Sequence, residues 1–172
     1  MTPTNFRSDL VRELPYLRRF ARGLCGDAAL ADDLVQDCVE RALVKSHLYD
    51  PARPLRAWLY AVLRNIFVSN WRRNAKFNNA KDISDLEGLE GSVQPEQESN
   101  FSVALITEAL DTLPAQHREV LVLISLEEVS YKEASEIIGV PIGTIMSRLS
   151  RARAHLQNIL EERGTPVLRR VK

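Results

Sequence analysis

Thr144, Ser147, Arg148 and Arg151 recur at three- and four-residue steps, so a helix through them sets two hydroxyls and two guanidinium groups on one outer face. Arginine meets the O6 and N7 edge of guanine with two parallel N–H donors, and Ser or Thr contacts a base or a phosphate. Arg153 lies nearby, and no acid falls between Gly143 and His155. Just upstream, Ser130-Tyr131-Lys132-Glu133 fits a capping box, Ser130 as N-cap and Glu133 three residues on. Ser130, Tyr131 and Lys132 would then stand at the positive end of a helix, where phosphate binds. Between the two helices, Ala134 and Ser135 supply small residues for a close crossing. Gly139 supplies a C-cap, and Pro141 and Gly143 the turn. Ile138, Val140, Ile145 and Leu149 supply the apolar seam. Together these make a helix-turn-helix whose second helix enters the major groove. A plain helical hairpin with a solvated basic face is the bland alternative, and it leaves the coincidence of small residues, turn and arginines unexplained.

No other chemistry is on offer. His47, His117 and His155 lie beside no nucleophile and base, and no glycine-rich phosphate loop occurs, so the chain reads as no enzyme. Cys25 and Cys38 lack metal-ligand spacing and read as buried thiols in a reducing cytoplasm. No metal, cofactor or small-molecule substrate is expected. No apolar run reaches membrane-spanning length and no signal-peptide core opens the chain, which predicts a cytoplasmic protein without membrane insertion.

The elements that must position these groups are all helical. Leu10, Leu14, Leu17, Phe20 and Leu24 mark a helix over 5–24, with Pro15 inside it as a kink or a later start. A second helix, 28–46, buries Leu30, Leu34, Val35, Cys38, Ala42 and Leu43 and shows Asp32, Asp33, Gln36, Asp37, Glu40 and Arg41 to solvent. Pro51 and Pro54 stiffen the loop that follows. A third helix, 55–74, has a broad apolar arc with Arg56, Arg64, Arg72 and Arg73 on what remains. Residues 75–101 are polar and aperiodic, a flexible linker. Helices over 102–112 and 115–126 precede the helix-turn-helix, whose last helix runs from Thr144 to about 161. The fold class is therefore all-α: two small helical domains, 1–74 and 102–172, on a linker.

The 172 residues carry zero formal net charge. The distribution is uneven. Pro51 to Lys81 holds seven Lys or Arg and no acid, while 74–101 holds two basic and six acidic residues. Local fields, not the total, steer a surface toward phosphate.

The segment SYKEASEIIGVPIGTIMSRLSRARA resembles the fourth conserved region of extracytoplasmic-function (ECF) sigma factors, introduced by DTLPAQHREVLVLISLEEV. Upstream, ADDLVQDCVERAL and RPLRAWLYAVLRNIFVSNWRRN resemble the second conserved region. ELPYLRRFARGLCGD and RAWLYAVLRN resemble the alphaproteobacterial general-stress branch. No receiver segment accompanies them, unlike the response-regulator mimic of that branch. The resemblance implies a stress-response sigma factor that binds core RNA polymerase and directs promoter-specific initiation. Residues 1–74 would dock on the β′ clamp through Asp33, Gln36, Asp37 and Glu40. They would read the −10 element as a melted strand through Tyr49, Arg53, Arg56, Arg64, Asn65, Ser69, Arg72 and Arg73. Residues 102–172 would read the −35 element as duplex through Ser130, Tyr131, Lys132, Thr144, Ser147, Arg148 and Arg151. The acidic linker would take the place of the missing third region and thread toward the RNA-exit path. The β subunit and an anti-sigma factor complete the implied partners. Met146, Ile124 and Ala134-Ser135 depart from the common pattern and leave the base preference open.

The rival reading is a stand-alone helix-turn-helix regulator with a sensory N-terminal domain. Such a regulator needs a ligand pocket and a spare helix for dimerisation on palindromic sites. The N-terminal half offers instead an acidic helix and a helix rich in Trp and Arg.

Overall fold

The computed structural model describes residues 3–77, 106 and 108–162. The linker expected over 75–101 falls almost wholly outside the described residues. Helix α1 spans Pro3–Cys25, α2 Ala28–Val44 and α3 Leu55–Phe77, with a 3₁₀ turn at Ser46–Leu48. After a helical turn at 108–111 come α4 (Ala115–Leu121), a π-helical turn (Val122–Leu126), α5 (Tyr131–Ile138) and α6 (Ile142–Glu162). No strand occurs among the described residues.

In the first half, α1, α2 and α3 pack around Leu17, Phe20, Leu24, Leu34, Cys38, Leu59, Leu63 and Ile66. Pro15 neither ends nor delays α1. The buried positions on both sides of it, Leu10, Leu17 and Phe20, hold the helix against α2 and α3 and offset the missing backbone bond. Gly26 closes α1, its N–H donating to Arg22 O at 2.9 Å, and Asp27 caps α2 by accepting from Leu30 N at 2.8 Å. Leu30 and Leu43 are exposed rather than buried. They sit in the first and last turns of α2, at the rim of the packed area.

In the second half, α4, the π turn, α5 and α6 enclose Val120, Leu123, Ala134, Ile137, Ile138, Ile145, Leu149 and Ala152. The segment expected as a single helix over 115–126 widens after Leu121 into the π turn, with Glu127 N donating to Val122 O at 3.0 Å. Such insertions concentrate at functional positions. Glu128, just beyond it, has φ 53.

The two halves share one continuous core. The close approach falls at Gly23 of α1, where a Cβ would lie 2.7 Å from Val122 Cγ1. Only glycine lets the backbone of α1 sit on the π turn. Arg118 is buried at the same seam. It donates to Leu24 O at 3.1 Å and Asp111 O at 2.7 Å, and pairs with Asp111 Oδ1 at 3.2 Å. Burial holds its pKa below the ordinary arginine value and raises that of Asp111, against the pull of their mutual attraction.

Candidate nucleic-acid interface

Local sequence builds the α5–α6 pair. Ser130 Oγ accepts from Glu133 N at 3.2 Å, and Glu133 Oε2 accepts from Ser130 N at 3.1 Å, the expected capping box. Gly139 ends α5 at φ 79, a left-handed conformation that costs glycine little, and its N–H donates to Ser135 O at 2.9 Å. Ser135 Oγ donates to Val140 O at 2.5 Å and ties the turn to α5. Helix α6 starts at Ile142, two residues earlier than expected, because Pro141 already supplies the carbonyl that Thr144 N and Ile145 N meet. Gly143 thus lies inside the helix and not in the turn. Ile145, Leu149 and Ala152 pin α6 from below.

Ser147 and Arg151 are exposed, Thr144 is half-buried, and Tyr131 and Lys132 stand exposed at the start of α5. His117 titrates below the ordinary imidazole value, first because it is partly buried, then because Arg151, Arg148 and His155 surround it. That local excess of positive charge is what an anion-binding surface presents.

Arg148 corrects the expected outer face. Its side chain is only 20% exposed and turns back to Glu119, with Nη1 3.7 Å from Oε1. Glu119 is also the partner of Arg64 on α3, through Nε at 2.8 Å and Nη2 at 3.3 Å. Two arginines expected on separate DNA-facing surfaces therefore meet at one buried carboxylate.

On the first half, Asn65, Ser69 and Arg72 share one exposed face of α3, and Arg73 beside them donates to Asn70 Oδ1 at 2.8 Å. The 48–54 loop is held from three sides. Asp50 Oδ1 accepts from Ala52 N at 3.0 Å, Tyr49 Oη donates to Arg53 O at 2.8 Å, and Tyr49 packs against Phe6 and Trp58, which also touch each other. The centroids of Phe6 and Trp58 lie 5.9 and 5.5 Å from that of Tyr49. Arg53 reaches Glu136 of α5 at 3.7 Å, an exposed pair. Arg56 is occupied by Glu13 at 2.6 Å and lies over the Tyr16 ring, 3.3 Å from its centroid. Asp33, Gln36, Asp37 and Glu40 are exposed on α2, and Gln36 donates to Glu40 Oε1 at 3.2 Å.

Sequence reasoning missed Phe6, Glu13, Arg19, Tyr60, Glu119 and Glu127. Glu127 has a fully buried side chain, yet it accepts from Arg19 Nε at 2.5 Å and Arg19 Nη2 at 2.9 Å, and from Tyr60 Oη at short range. The hydrogen bond from Arg19 to Glu127 raises the guanidinium pKa; burial pushes the Tyr60 phenol far up, and the bond to Glu127 adds to this. One signal was available: acids standing inside the apolar run EVLVLISLEEV can be buried only if something pairs them.

Among the described residues no group of His, Cys, Asp and Glu could hold a metal ion, and no helix is long and apolar enough to cross a membrane.

Residues 10–64 match the model of the sigma2 domain of PhyR, and residues 104–156 that of sigma-70 region 4. The chain is 38% identical over 156 residues to the ECF RNA polymerase sigma factor EcfG of Rhodopseudomonas palustris (strain TIE-1), covering 91% of this chain and 85% of that protein. It is 37% identical to the ECF sigma factor SigL of Mycobacterium tuberculosis (strain ATCC 25618 / H37Rv), over 86% of this chain and 84% of that one. Among solved structures it is similar to the sigma factor RpoE in complex with the anti-sigma factor NepR from Bartonella quintana, with TM-score 0.80 and 37% identity over 91% of this chain and 97% of that one. It is also similar to CnrH in complex with the cytosolic domain of CnrY, with TM-score 0.71 and 25% identity over 94% of this chain and 90% of that one. Both regions match in order and the identity runs through nearly the whole chain, so this protein belongs to the ECF RNA polymerase sigma factors, in keeping with the alphaproteobacterial stress-response branch.

Proposed function

We propose that this sigma factor works in the cytoplasm, without catalysis of its own, as a two-part promoter reader on core RNA polymerase. The observation that carries the reading is the exposed hydroxyl and arginine face of α6, set beside the capped start of α5. Thr144, Ser147 and Arg151 contact the −35 bases in the major groove, Ser130, Tyr131 and Lys132 contact phosphate, and Arg148 joins them once released from Glu119. The first half, 1–74, takes the −10 strand on Asn65, Ser69, Arg72 and Arg73, with the loop at Tyr49 and Arg53 as the pocket for an unstacked base and with Arg56 and Arg64 on the strand backbone once released from Glu13 and Glu119. Asp33, Gln36, Asp37 and Glu40 offer acidic contacts to the β′ clamp, and the second half contacts β. Residues 78–101, beyond the end of α3, serve as the connecting segment toward the RNA-exit path. An anti-sigma factor covering one or both halves is the natural inhibitor, a reading supported by the RpoE structure to which the chain is similar, which is a complex with the anti-sigma factor NepR.

Arg151→Ala tests the −35 assignment. Binding of the holoenzyme to a −35 duplex should weaken by about 1–3 kcal/mol, with relaxed preference at one position. Equal weakening on every sequence would make Arg151 a phosphate contact.

The loop has its own test. Phe6→Ala removes two ring contacts, each worth about 0.5–1.5 kcal/mol. Permanganate reactivity of unpaired thymines at −10 should fall, while core binding and −35 duplex binding stay unchanged. Unaltered reactivity would separate Phe6 from −10 reading.

A further inference from the structure

We propose that Met146 is a specificity residue of the −35 reader and takes the 5-methyl group of a thymine in the major groove. The inference rests on the placement of α6 on the −35 duplex proposed above, and adds a base preference to it.

Met146 is 53% exposed near the start of α6, and Ile142, one turn earlier, is 43% exposed. The core uses neither. Helix α6 packs through Ile145, Leu149 and Ala152, and Met146 leaves the helix about 100° round the axis from Ile145. Met146, Ser150 and Arg153 follow at four- and three-residue steps and are all exposed. They form a stripe on one flank of Ser147, while Thr144 and Arg151 lie on the other flank. A single exposed apolar side chain is ordinary on a protein surface. This one stands in the opening turns of the helix, the part that enters the major groove, and Ile142 extends its apolar surface by one turn.

The chemistry of the groove decides what such a side chain can read. Guanine shows N7 and O6 there, adenine N7 and an amino group, and cytosine an amino group. A thioether offers no donor and only a weak acceptor. Covering a polar base edge with Met146 strips its water and returns no hydrogen bond, which costs free energy. Thymine alone presents a methyl group in the groove. Covering that methyl removes apolar surface from water on both partners. Methionine is unbranched and has three rotatable bonds, so it can follow the methyl once Ser147 and Arg151 have fixed the helix on the duplex. The departure from the common pattern at Met146 therefore changes which base is read and leaves the reading helix intact.

The test exchanges thymine for deoxyuridine, which keeps the pairing with adenine and every hydrogen-bonding group and lacks only the 5-methyl. Holoenzyme made with the full chain is titrated against promoter duplexes carrying the exchange at one −35 thymine at a time, on either strand. At one position the exchange should weaken wild-type binding on the order of fourfold, the worth of about one buried methyl group. Met146→Ala should bind the thymine duplex about as weakly as wild type binds the deoxyuridine duplex, and should no longer distinguish the two. Met146→Leu, apolar and of similar volume, should keep the distinction. Both substitutions fall at an exposed site and introduce good helix formers, so α6 should keep its circular dichroism. Wild-type binding that ignores the exchange at every −35 thymine would overturn the assignment. So would a −35 box with no thymine on either strand, or a Met146→Ala variant that still distinguishes the duplexes. Failure of the −35 placement reads differently: Arg151→Ala would then leave −35 selectivity unchanged, whereas it still relaxes that selectivity if only the methyl contact is wrong.

Discussion

Glu127→Lys should split the closed chain. The substitution sets an ammonium in a fully enclosed position against the Arg19 guanidinium and the Tyr60 hydroxyl. Breaking a buried ion pair by removing one partner destabilises by about 3–5 kcal/mol, and a like charge in its place adds repulsion. The chain escapes that penalty by separating its halves, which exposes residue 127 to water. Small-angle scattering should record a larger radius of gyration and thermal denaturation an earlier first transition. The helical content of each half should survive, because the substitution keeps the backbone N–H of residue 127 that closes the π turn on Val122 O. An unchanged radius with intact folding would mean that apolar packing at Val122 and Gly23 alone holds the halves together.

The second large effect lies in the first half. Phe20 is completely buried, and its ring lies 4.7 Å from that of Tyr60, whose hydroxyl ends on Glu127. Phe20→Ala leaves a cavity in the three-helix core and should cost about 3–5 kcal/mol. Urea denaturation should show the first half unfolding at lower denaturant. Tyr60→Phe separates the two jobs of this stack. It keeps the ring in the core and removes only the hydroxyl, for about 1–3 kcal/mol of lost charge-assisted hydrogen bonding. That variant should loosen the halves with little change in the core. If both substitutions gave the same denaturation profile, the hydroxyl would have no role apart from the ring.

Much of the fold was legible because its signals are local. Ser130 with Glu133, Gly139 and Pro141 write the start, end and turn of α5 within a dozen residues. Leu10, Leu17, Phe20 and Leu24 declare a buried stripe through spacing alone, and all four are buried. Pro15 was the ambiguous sign there, since local propensity opposed a helix that tertiary packing maintains. The helix-turn-helix face was half legible. Periodicity placed Arg148 and Arg151 on the same side, but a three-residue step rotates a side chain far enough for one to reach Glu119 and the other to face solvent. The ties between the halves were out of reach. Arg19 and Glu127 are 108 residues apart, and no pattern pairs two charges across that distance. The π turn was equally hidden, because EVLVLISL suits an α-helix and only the packing of Val122 on Gly23 and the seating of Glu127 accompany the wider turn.

Under the proposed function, one chain reads two promoter elements through two separate surfaces. Its most direct test is reconstitution of the chain with core RNA polymerase on a template library randomised at both −10 and −35, with transcript 5′ ends mapped and the templates sequenced. Both boxes should be enriched at a fixed spacing, with Arg151→Ala relaxing only the upstream box and Asn65→Ala only the downstream one. Enrichment of a single box, or initiation without any sequence preference, would contradict the two-part reader.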